Sequence, residues 1–255
     1  MKTKLLLITG VICLTIASCD WWEAESNNDE DLIQKVTDFD GNTYNAVKVG
    51  EQVWMAENLK VTHYPDGREI PLITNNYIWA NQTNNNTSDA YCIYFNDMSG
   101  EKDIYGALYT WAAAMGDNAV ASSQNPSGVQ GVCPSGWHLP SESEWDELID
   151  FVGENGYDGK EAVVLKATEK WTWNNFEDAT GCGTDDYNFA ALPGGSRFAS
   201  TGESQGMGYN GNWWTSTKGS RSTDAICFTM YNARIDVSRL VGSKSLGFSV
   251  RCVKD

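Results

Sequence analysis

Two tryptophans beside two asparagines are the first residues whose types and spacing could do chemistry. Trp171 and Trp173 are two positions apart, so their rings would face the same side of a strand, and they precede Asn174 and Asn175. Sugar C–H faces stack on aromatic rings, while amides donate to and accept from hydroxyls. The pattern predicts a glycan-binding platform. The alternative is that these rings fill the core of a domain with little helix.

A second aromatic pair and an acidic loop extend this candidate site. Trp213 and Trp214 are adjacent, and adjacent strand residues point to opposite faces, so we expect one ring in the core and the other at the surface. Trp214 is our candidate for the exposed ring. Asp186 lies in a Gly-rich loop and is the predicted acidic neighbour of the platform.

Calcium is the metal that the acidic residues of the sequence suggest. Asp178, Asp185 and Asp186 could hold a hard cation through carboxylate oxygens, although a solvated acidic loop explains them as well. The run from Asp38 to Asn42 is similar to a calcium loop, but Val49 stands where the bidentate Glu belongs. We therefore predict no resident cofactor.

The histidines and the known catalytic motifs do not indicate an enzyme. His63 and His138 are the two histidines, and we expect His138 to be structural because it lies in the core segment 137–140. The sequence has no P-loop. A net charge of −16 disfavours nucleic acid as a partner.

The first residues of the chain predict export and lipidation. Lys2 and Lys4 precede an apolar run over 5–16 that is too short to span a bilayer as a helix, which is typical of a signal peptide. The segment 16–19 resembles a bacterial lipobox, in which Cys19 takes the diacylglycerol. We expect residues 1–18 to be removed and the membrane to be reached through the lipid on Cys19.

An acidic, aperiodic stretch follows, and we interpret residues 19–37 as a lipidated tether. Acidic residues after a lipidated cysteine act as a surface-export signal in some diderm bacteria, whereas Asp at the next position retains proteins at the inner membrane in others. We predict a lipid-anchored protein of the outer membrane, exposed at the surface. Residues 38–255 show no linker and are predicted to form one domain.

Five cysteines remain after the signal peptide and the lipidated residue are set aside. An exported protein favours disulfides, but the spacing leaves every pairing open. A bridge that closes a loop over most of the domain would stabilise it by about 4 to 5 kcal/mol in the chain-entropy model. These residues are Cys92, Cys133, Cys182, Cys227 and Cys252.

The elements that position these residues are mostly short. The clearest helix begins after Pro140, where Ser141 and Glu144 form a capping box, and it continues to Val152 with one apolar stripe. Residues 104–115 predict a second helix that ends at Gly116. Alternation predicts strands over 44–49, 52–55, 59–64, 91–95, 213–217, 225–230, 235–239 and 247–253.

Five sequence blocks together resemble the Fibrobacter succinogenes major paralogous domain, over roughly residues 38–255. They are 105–111, 131–140 with 144–145, 191–197, 213–217 and 247–253. The family is found on lipoproteins and other exported bacterial proteins. It is distantly similar to the formylglycine-generating enzymes and the C-type-lectin-like domains. The resemblance implies an α+β, C-type-lectin-like fold with two main helices, short twisted sheets and long Gly/Asn-rich loops.

The resemblance also implies a disulfide pattern. In lectin-like domains a long bridge ties the first helix region to the last strand, and Cys133 and Cys252 occupy those places. Cys182 and Cys227 would then form the second pair, which leaves Cys92 as a buried free thiol.

Three functions follow as hypotheses. The first is a non-catalytic cell-surface lipoprotein module that binds a glycan or protein ligand or acts in adhesion. The second is an oxidase of the formylglycine-generating type, for which Cys182 and Cys227 are the candidate copper ligands although neither stands in a matching motif. The third is a structural subunit of a surface assembly.

Overall fold

The computed structural model describes residues 34–82, 87–94, 100–116, 120–172 and 183–255. These ranges lie in one compact unit, 31–255. Cys19, Trp173, Asn174, Asn175 and Cys182 lie outside the described residues. None of the described helices is long and apolar enough to cross a bilayer.

Helices are few and short. They are α1 (Asn76–Gln82), α2 (Glu101–Tyr105), α3 (Trp111–Met115), α4 (Glu142–Val152) and α5 (Glu161–Leu165), with a π-helical turn over Gly153–Tyr157. In α4, Ser141 Oγ accepts from the backbone N–H of Glu144, and the Glu144 carboxylate accepts from the backbone N–H of Ser141, so the predicted capping box is present. Trp145, Leu148 and Val152 of its apolar stripe are buried, and Ile149 is half-buried.

Twelve strands form two five-stranded sheets and one small pair among the described residues. The strands are β1 (Gln34–Thr37), β2 (Thr43–Val49), β3 (Gln52–Met55), β4 (Tyr91–Cys92), β5 (Leu108–Tyr109), β6 (Trp137–His138), β7 (Gly194–Arg197), β8 (Ser204–Met207), β9 (Asn210–Lys218), β10 (Asp224–Tyr231), β11 (Ser238–Ser243) and β12 (Val253–Lys254). The first sheet has the order β1-β2-β3-β12-β6, the second β11-β10-β9-β7-β8, and β4 pairs with β5. The protein is therefore a sheet-rich α+β fold.

Strand β9 lies between two hydrophobic clusters. Trp214 packs in one cluster and Trp213 in the other, and β9 is flanked in its sheet by β10 and β7. Because both faces of β9 are covered, adjacent side chains that point to opposite faces are both buried. The expectation that one of these two tryptophans is exposed was wrong.

The helix predicted over 104–115 is broken at Gly106. This glycine has φ +78°, and a Cβ on it would lie 2.8 Å from the carbonyl oxygen of Leu59. The chain there is pressed against a loop that is remote in sequence, so α2 ends and β5 begins where the local pattern favoured one helix. Of the two predicted main helices, α4 is present and the other is two short ones.

Several predicted strands also differ from the structure. Residues 59–64 are irregular, and β11 begins at Ser238 rather than at 235. The predicted strand 247–253 forms single bridges to three different elements before it reaches β12, through Gly247, Phe248 and Ser249. This segment therefore joins the sheets instead of extending one of them.

The folded part begins before the predicted boundary. Strand β1, over Gln34–Thr37, pairs antiparallel with β2, and Val36 is buried. The predicted tether over 19–37 thus includes four residues of sheet, because the apolar Val36 has a place in the core. The sequence prediction placed the boundary too far along the chain.

Candidate ligand-binding site

The predicted tryptophan platform is not at the surface in the described residues. Trp171 is 4% exposed and its Nε1 donates to the carbonyl of Ala191 at 3.0 Å. Trp214 is fully buried, and its Nε1 donates to the carbonyl of Tyr109 at 2.8 Å. These rings satisfy their polar atoms on backbone carbonyls inside the core, so they offer no stacking face to a ligand.

Asp186, the acidic neighbour predicted for that platform, makes its hydrogen bond with a different residue. Asp186 is exposed and accepts a hydrogen bond from the hydroxyl of Tyr157 at 2.9 Å. Asp185 accepts from the backbone N–H of Ala190 at 2.7 Å. The platform was therefore a wrong prediction at Trp171 and Trp214, while Trp173, Asn174 and Asn175 lie outside the described residues.

Every tryptophan in the described ranges is buried, with at most 9% exposed. Trp145 lies at the centre of one aromatic group, stacked on Phe228 with ring centroids 5.1 Å apart and edge-on to Trp54 at 5.0 Å. The full set is Trp54, Trp79, Trp111, Trp137, Trp145, Trp171, Trp213 and Trp214. The high tryptophan content serves the core, which was the alternative considered above.

The cysteines give one bridge and two free thiols. Cys133 and Cys252 form the disulfide that the resemblance implies, with Cα atoms 6.0 Å apart. Cys227 is a free, buried thiol, so the predicted pair with Cys182 was wrong. Its sulfur lies 3.7 Å from the carbonyl oxygen of Leu240 on the neighbouring strand β11, where the side chain is enclosed by the sheet. Cys92 is free and buried, as expected.

Burial also determines the chemistry of these thiols. It raises the pKa of Cys227 to about 12 and that of Cys92 to about 11. Since the thiolate is the nucleophile and the metal ligand, neither side chain is prepared for such a role.

The candidate calcium ligands among the described residues are engaged by protein groups, and Asp178 lies outside the described residues. Asp38 accepts from the hydroxyl of Tyr44 at 2.6 Å, and Asp40 accepts from Thr62 and contacts His63. The described part of the chain contains no group of three or more side chains that could hold a metal ion.

His138 is buried, as predicted, between two carboxylates. Its Nδ1 lies 2.7 Å from Oδ1 of Asp255 and its Nε2 lies 2.5 Å from Oε1 of Glu144. Burial lowers the pKa of this imidazole, but the hydrogen bonds and charges of Glu144 and Asp255 outweigh that effect and the pKa is raised. Glu144 also accepts from the backbone N–H of Ser127 at 3.2 Å, so the cluster supports the segment described next.

A groove of about 740 Å³ is one concave feature among the described residues. One wall is the turn 64–68, the other is the segment 120–131, and the end of α3 with Gly116 closes the floor. The wall 120–131 carries Ser122, Ser123, Gln124, Ser127 and Gln130 into it. We call this feature the serine-glutamine groove.

Hydrogen bonds to two other parts of the fold hold the 120–131 wall in place. Ser122 donates its N–H to the carbonyl of Ser216 at 3.0 Å, and Thr217 Oγ1 donates to the carbonyl of Ser122 at 2.7 Å. Ser127 Oγ donates to the carbonyl of Leu139 at 2.7 Å. The wall is thus fixed to β9 and to the segment that enters α4.

A glycine contact closes the floor of the groove. Gly131 has φ +56°, and a Cβ there would lie 2.1 Å from the carbonyl oxygen of Ala114. Val132 donates its N–H to that same oxygen at 3.0 Å. Only glycine allows the 120–131 wall to approach α3 this closely.

The opposite wall carries one ion pair. Arg68 Nε lies 3.0 Å from Oδ2 of Asp66, and its guanidinium lies 4.6 Å from the ring centroid of Tyr64. The two charges neutralise each other, so the groove as a whole is polar and close to neutral.

A protein-family model, the Fibrobacter succinogenes major domain, matches residues 47–254 of the chain. The chain belongs to this family. No curated protein and no solved structure gave a match. The match covers both sheets except β1 and the start of β2, all of α4 and both walls of the groove, so the serine-glutamine groove is part of the Fibrobacter succinogenes major domain.

Sequence reasoning missed the groove. Its residues are serines and glutamines, which are common on any surface, and they lie in a segment with no regular structure. The available signals were Gly128, which precedes the block 131–140, and Gly131, which is its first residue. Glycine at such positions indicates a left-handed backbone or a close approach, but it does not reveal what approaches.

Proposed function

We propose that the chain is a non-catalytic lipoprotein module, anchored through Cys19 in the outer membrane and exposed at the cell surface, that binds a glycan or protein ligand. The signal peptide pattern over 1–18 and the lipobox resemblance at Cys19 support the anchor. Membership of a family found on exported bacterial proteins supports the same location. A C-type-lectin-like architecture is part of the proposal, supported by the Cys133–Cys252 bridge.

The observation that carries the binding role is the serine-glutamine groove on a rigid core. Ligand sites are concave, largely pre-formed and typically about 300–1,000 Å³ in volume. The groove has about 740 Å³, and its 120–131 wall is fixed by hydrogen bonds to β9. A fixed wall binds at a lower entropic cost than a wall that must be ordered by its ligand.

The oxidase alternative has less support from the structure than from the sequence alone. It needs two accessible cysteine ligands, and Cys227 is 1% exposed with a raised pKa. Metal analysis of the purified full chain with a thiol titration tests it. Bound copper together with two reactive thiols would favour the oxidase.

The structural-subunit alternative rests on one edge strand. Strand β11 ends the second sheet, and its Leu240 and Val241 are 39% and 53% exposed. An uncovered edge strand with apolar side chains is a place where another chain can pair. An absence of any ligand for the groove would favour this alternative.

Lipid anchoring is tested by Cys19→Ala with Cys13→Ala as the matched control. Cys13 lies inside the predicted signal peptide, so its loss leaves the lipid in place. A lipid tail contributes about 0.8 kcal/mol per buried CH₂. We expect the first variant to leave the membrane fraction and the second to stay there. A membrane-bound Cys19→Ala chain would contradict the anchor.

Ligand binding is tested on whole cells. Cells that carry the full chain, and matched cells without it, are applied to surfaces coated with neutral polysaccharides, acidic polysaccharides or protein. We expect retention on at least one surface that depends on the chain. Equal retention on every surface would favour the structural subunit.

A further inference from the structure

We infer that the serine-glutamine groove is a site for a neutral saccharide, an inference that rests on the binding function proposed above. The groove lies between the turn 64–68 and the segment 120–131, away from every tryptophan that the sequence suggested. Four features of the groove support this ligand class: its amides, its balance of charge, its small apolar surface and its rigidity.

The amides are the first feature. Gln124 and Gln130 are exposed, line the groove, and make no side-chain hydrogen bond within the part of the chain that the structure describes. Each amide offers two N–H donors and one carbonyl acceptor. Neighbouring sugar hydroxyls need donors and acceptors side by side, and an amide supplies both. Ser123 adds a hydroxyl on the same wall.

The balance of charge is the second feature. Asp66 and Arg68 pair with each other at 3.0 Å, so the groove presents neither a free cation nor a free anion to a ligand from this pair. The chain as a whole carries a net charge of −16, which repels a polyanion. An acidic polysaccharide is therefore disfavoured, and an uncharged one is not.

The small apolar surface is the third feature. Val120 is 83% exposed at the groove, and Met115 contributes to the lining from the end of α3. Val120 provides contact for the C–H face of a sugar ring, whereas Met115 is only 3% exposed. The polar groups on the same walls leave too little continuous apolar surface for a lipid.

Rigidity is the fourth feature. The wall 120–131 is held at Ser122 by β9, at Ser127 by Glu144 and Leu139, and at Gly131 by its contact with Ala114. Cys133, two residues further on, is fixed by the disulfide to Cys252. Gln124 and Gln130 therefore extend from a fixed backbone, which limits the positions that their amides can take in the groove.

The test uses the purified full chain in mild detergent on an array of neutral gluco-, xylo-, manno- and galacto-oligosaccharides, with acidic oligosaccharides and short peptides as further probes. Two groove variants are compared with the native chain: Gln124→Ala with Gln130→Ala, and Ser123→Trp, which fills the groove. Their matched controls are Gln205→Ala and Ser200→Trp, which replace exposed residues outside the groove. Circular dichroism checks that all four fold.

We expect a neutral oligosaccharide to bind and both groove variants to weaken it about tenfold or more, since two hydrogen bonds are lost in the first and space in the second. The controls keep native affinity. If neutral-sugar binding survives both groove variants, the groove is not the binding site, although the proposed binding function still holds. Binding of acidic sugars or peptides alone overturns the ligand class. Absence of binding to every probe, with chain-dependent cell retention intact, overturns the saccharide inference without overturning the proposed function.

Discussion

Two regions of the molecule contrast in what they contain and in what they expose. The stretch 171–214 has the aromatic residues that suggest ligand contact, yet its described tryptophans are at most 4% exposed. The segment 120–131 has serines and glutamines and forms a wall of the serine-glutamine groove. Residue type therefore indicates which ligand contacts a side chain could make. Whether the side chain is exposed depends on how many faces of its strand or segment are covered by the rest of the fold.

Removal of the disulfide next to the 120–131 wall is expected to give the largest loss of stability. The Cys133–Cys252 bridge joins residues 119 positions apart, and the chain-entropy model gives such a bridge about 4 to 5 kcal/mol. We expect Cys133→Ala with Cys252→Ala to lower the free energy of unfolding by that amount in urea titrations. Cys92→Ala, which removes a buried free thiol, serves as control with a smaller loss. An unchanged unfolding midpoint in the double variant would contradict the assigned bridge.

Trp145 tests the core side of the comparison. This ring is fully buried and touches Phe228, Trp54 and Trp213. Trp145→Ala is expected to cost about 3–5 kcal/mol in urea unfolding, because a large cavity is left. Tyr77→Ala removes a ring that is 77% exposed and should change stability by about 0.5 kcal/mol or less. Similar costs for both rings would mean that aromatic burial does not organise the fold.

Two glycines test the groove side. Gly128 and Gly131 both have positive φ, at +68° and +56°, so alanine at either costs about 1–2 kcal/mol of backbone strain. A Cβ at Gly128 meets nothing within 4 Å, whereas one at Gly131 meets the carbonyl oxygen of Ala114 at 2.1 Å. We expect thermal unfolding to show a larger loss for Gly131→Ala. Equal losses of stability in Gly128→Ala and Gly131→Ala would contradict the close contact between Gly131 and the carbonyl oxygen of Ala114.

The pH dependence of stability is expected to give the smallest effect. The folded pKa of His138 is raised, so its stabilising contribution is complete below the unfolded value, near 6.5, and is lost as pH rises through the folded pKa. The stability advantage of the native chain over His138→Gln should be greater at pH 5.5 than at pH 8.5 in urea titrations. An advantage that grows with pH would contradict the imidazolium between Glu144 and Asp255.

Local signals in the sequence were sufficient for the local parts of the fold. Helix α4 was predicted because Ser141 and Glu144 are three residues apart and its cap needs no distant partner. Strands β2, β9 and β10 were found because their alternation or apolar runs are local as well.

The failures have a common physical cause. The break at Gly106 depends on contact with Leu59, and the burial of both Trp213 and Trp214 depends on clusters on both faces of β9. Cys227 is enclosed by its neighbour β11. Each outcome is decided by residues distant in sequence, and so is the groove, whose two walls are more than fifty positions apart.

One measurement tests the comparison directly: the amide and indole spectrum of the ¹⁵N-labelled full chain during titration with neutral gluco-, xylo-, manno- and galacto-oligosaccharides. The account predicts that the side-chain amides of Gln124 and Gln130 and the backbone amides of 122–131 shift. The indole N–H signals of Trp171 and Trp214 should stay in place. Shifts of those indoles with no change in the 122–131 amides would contradict it.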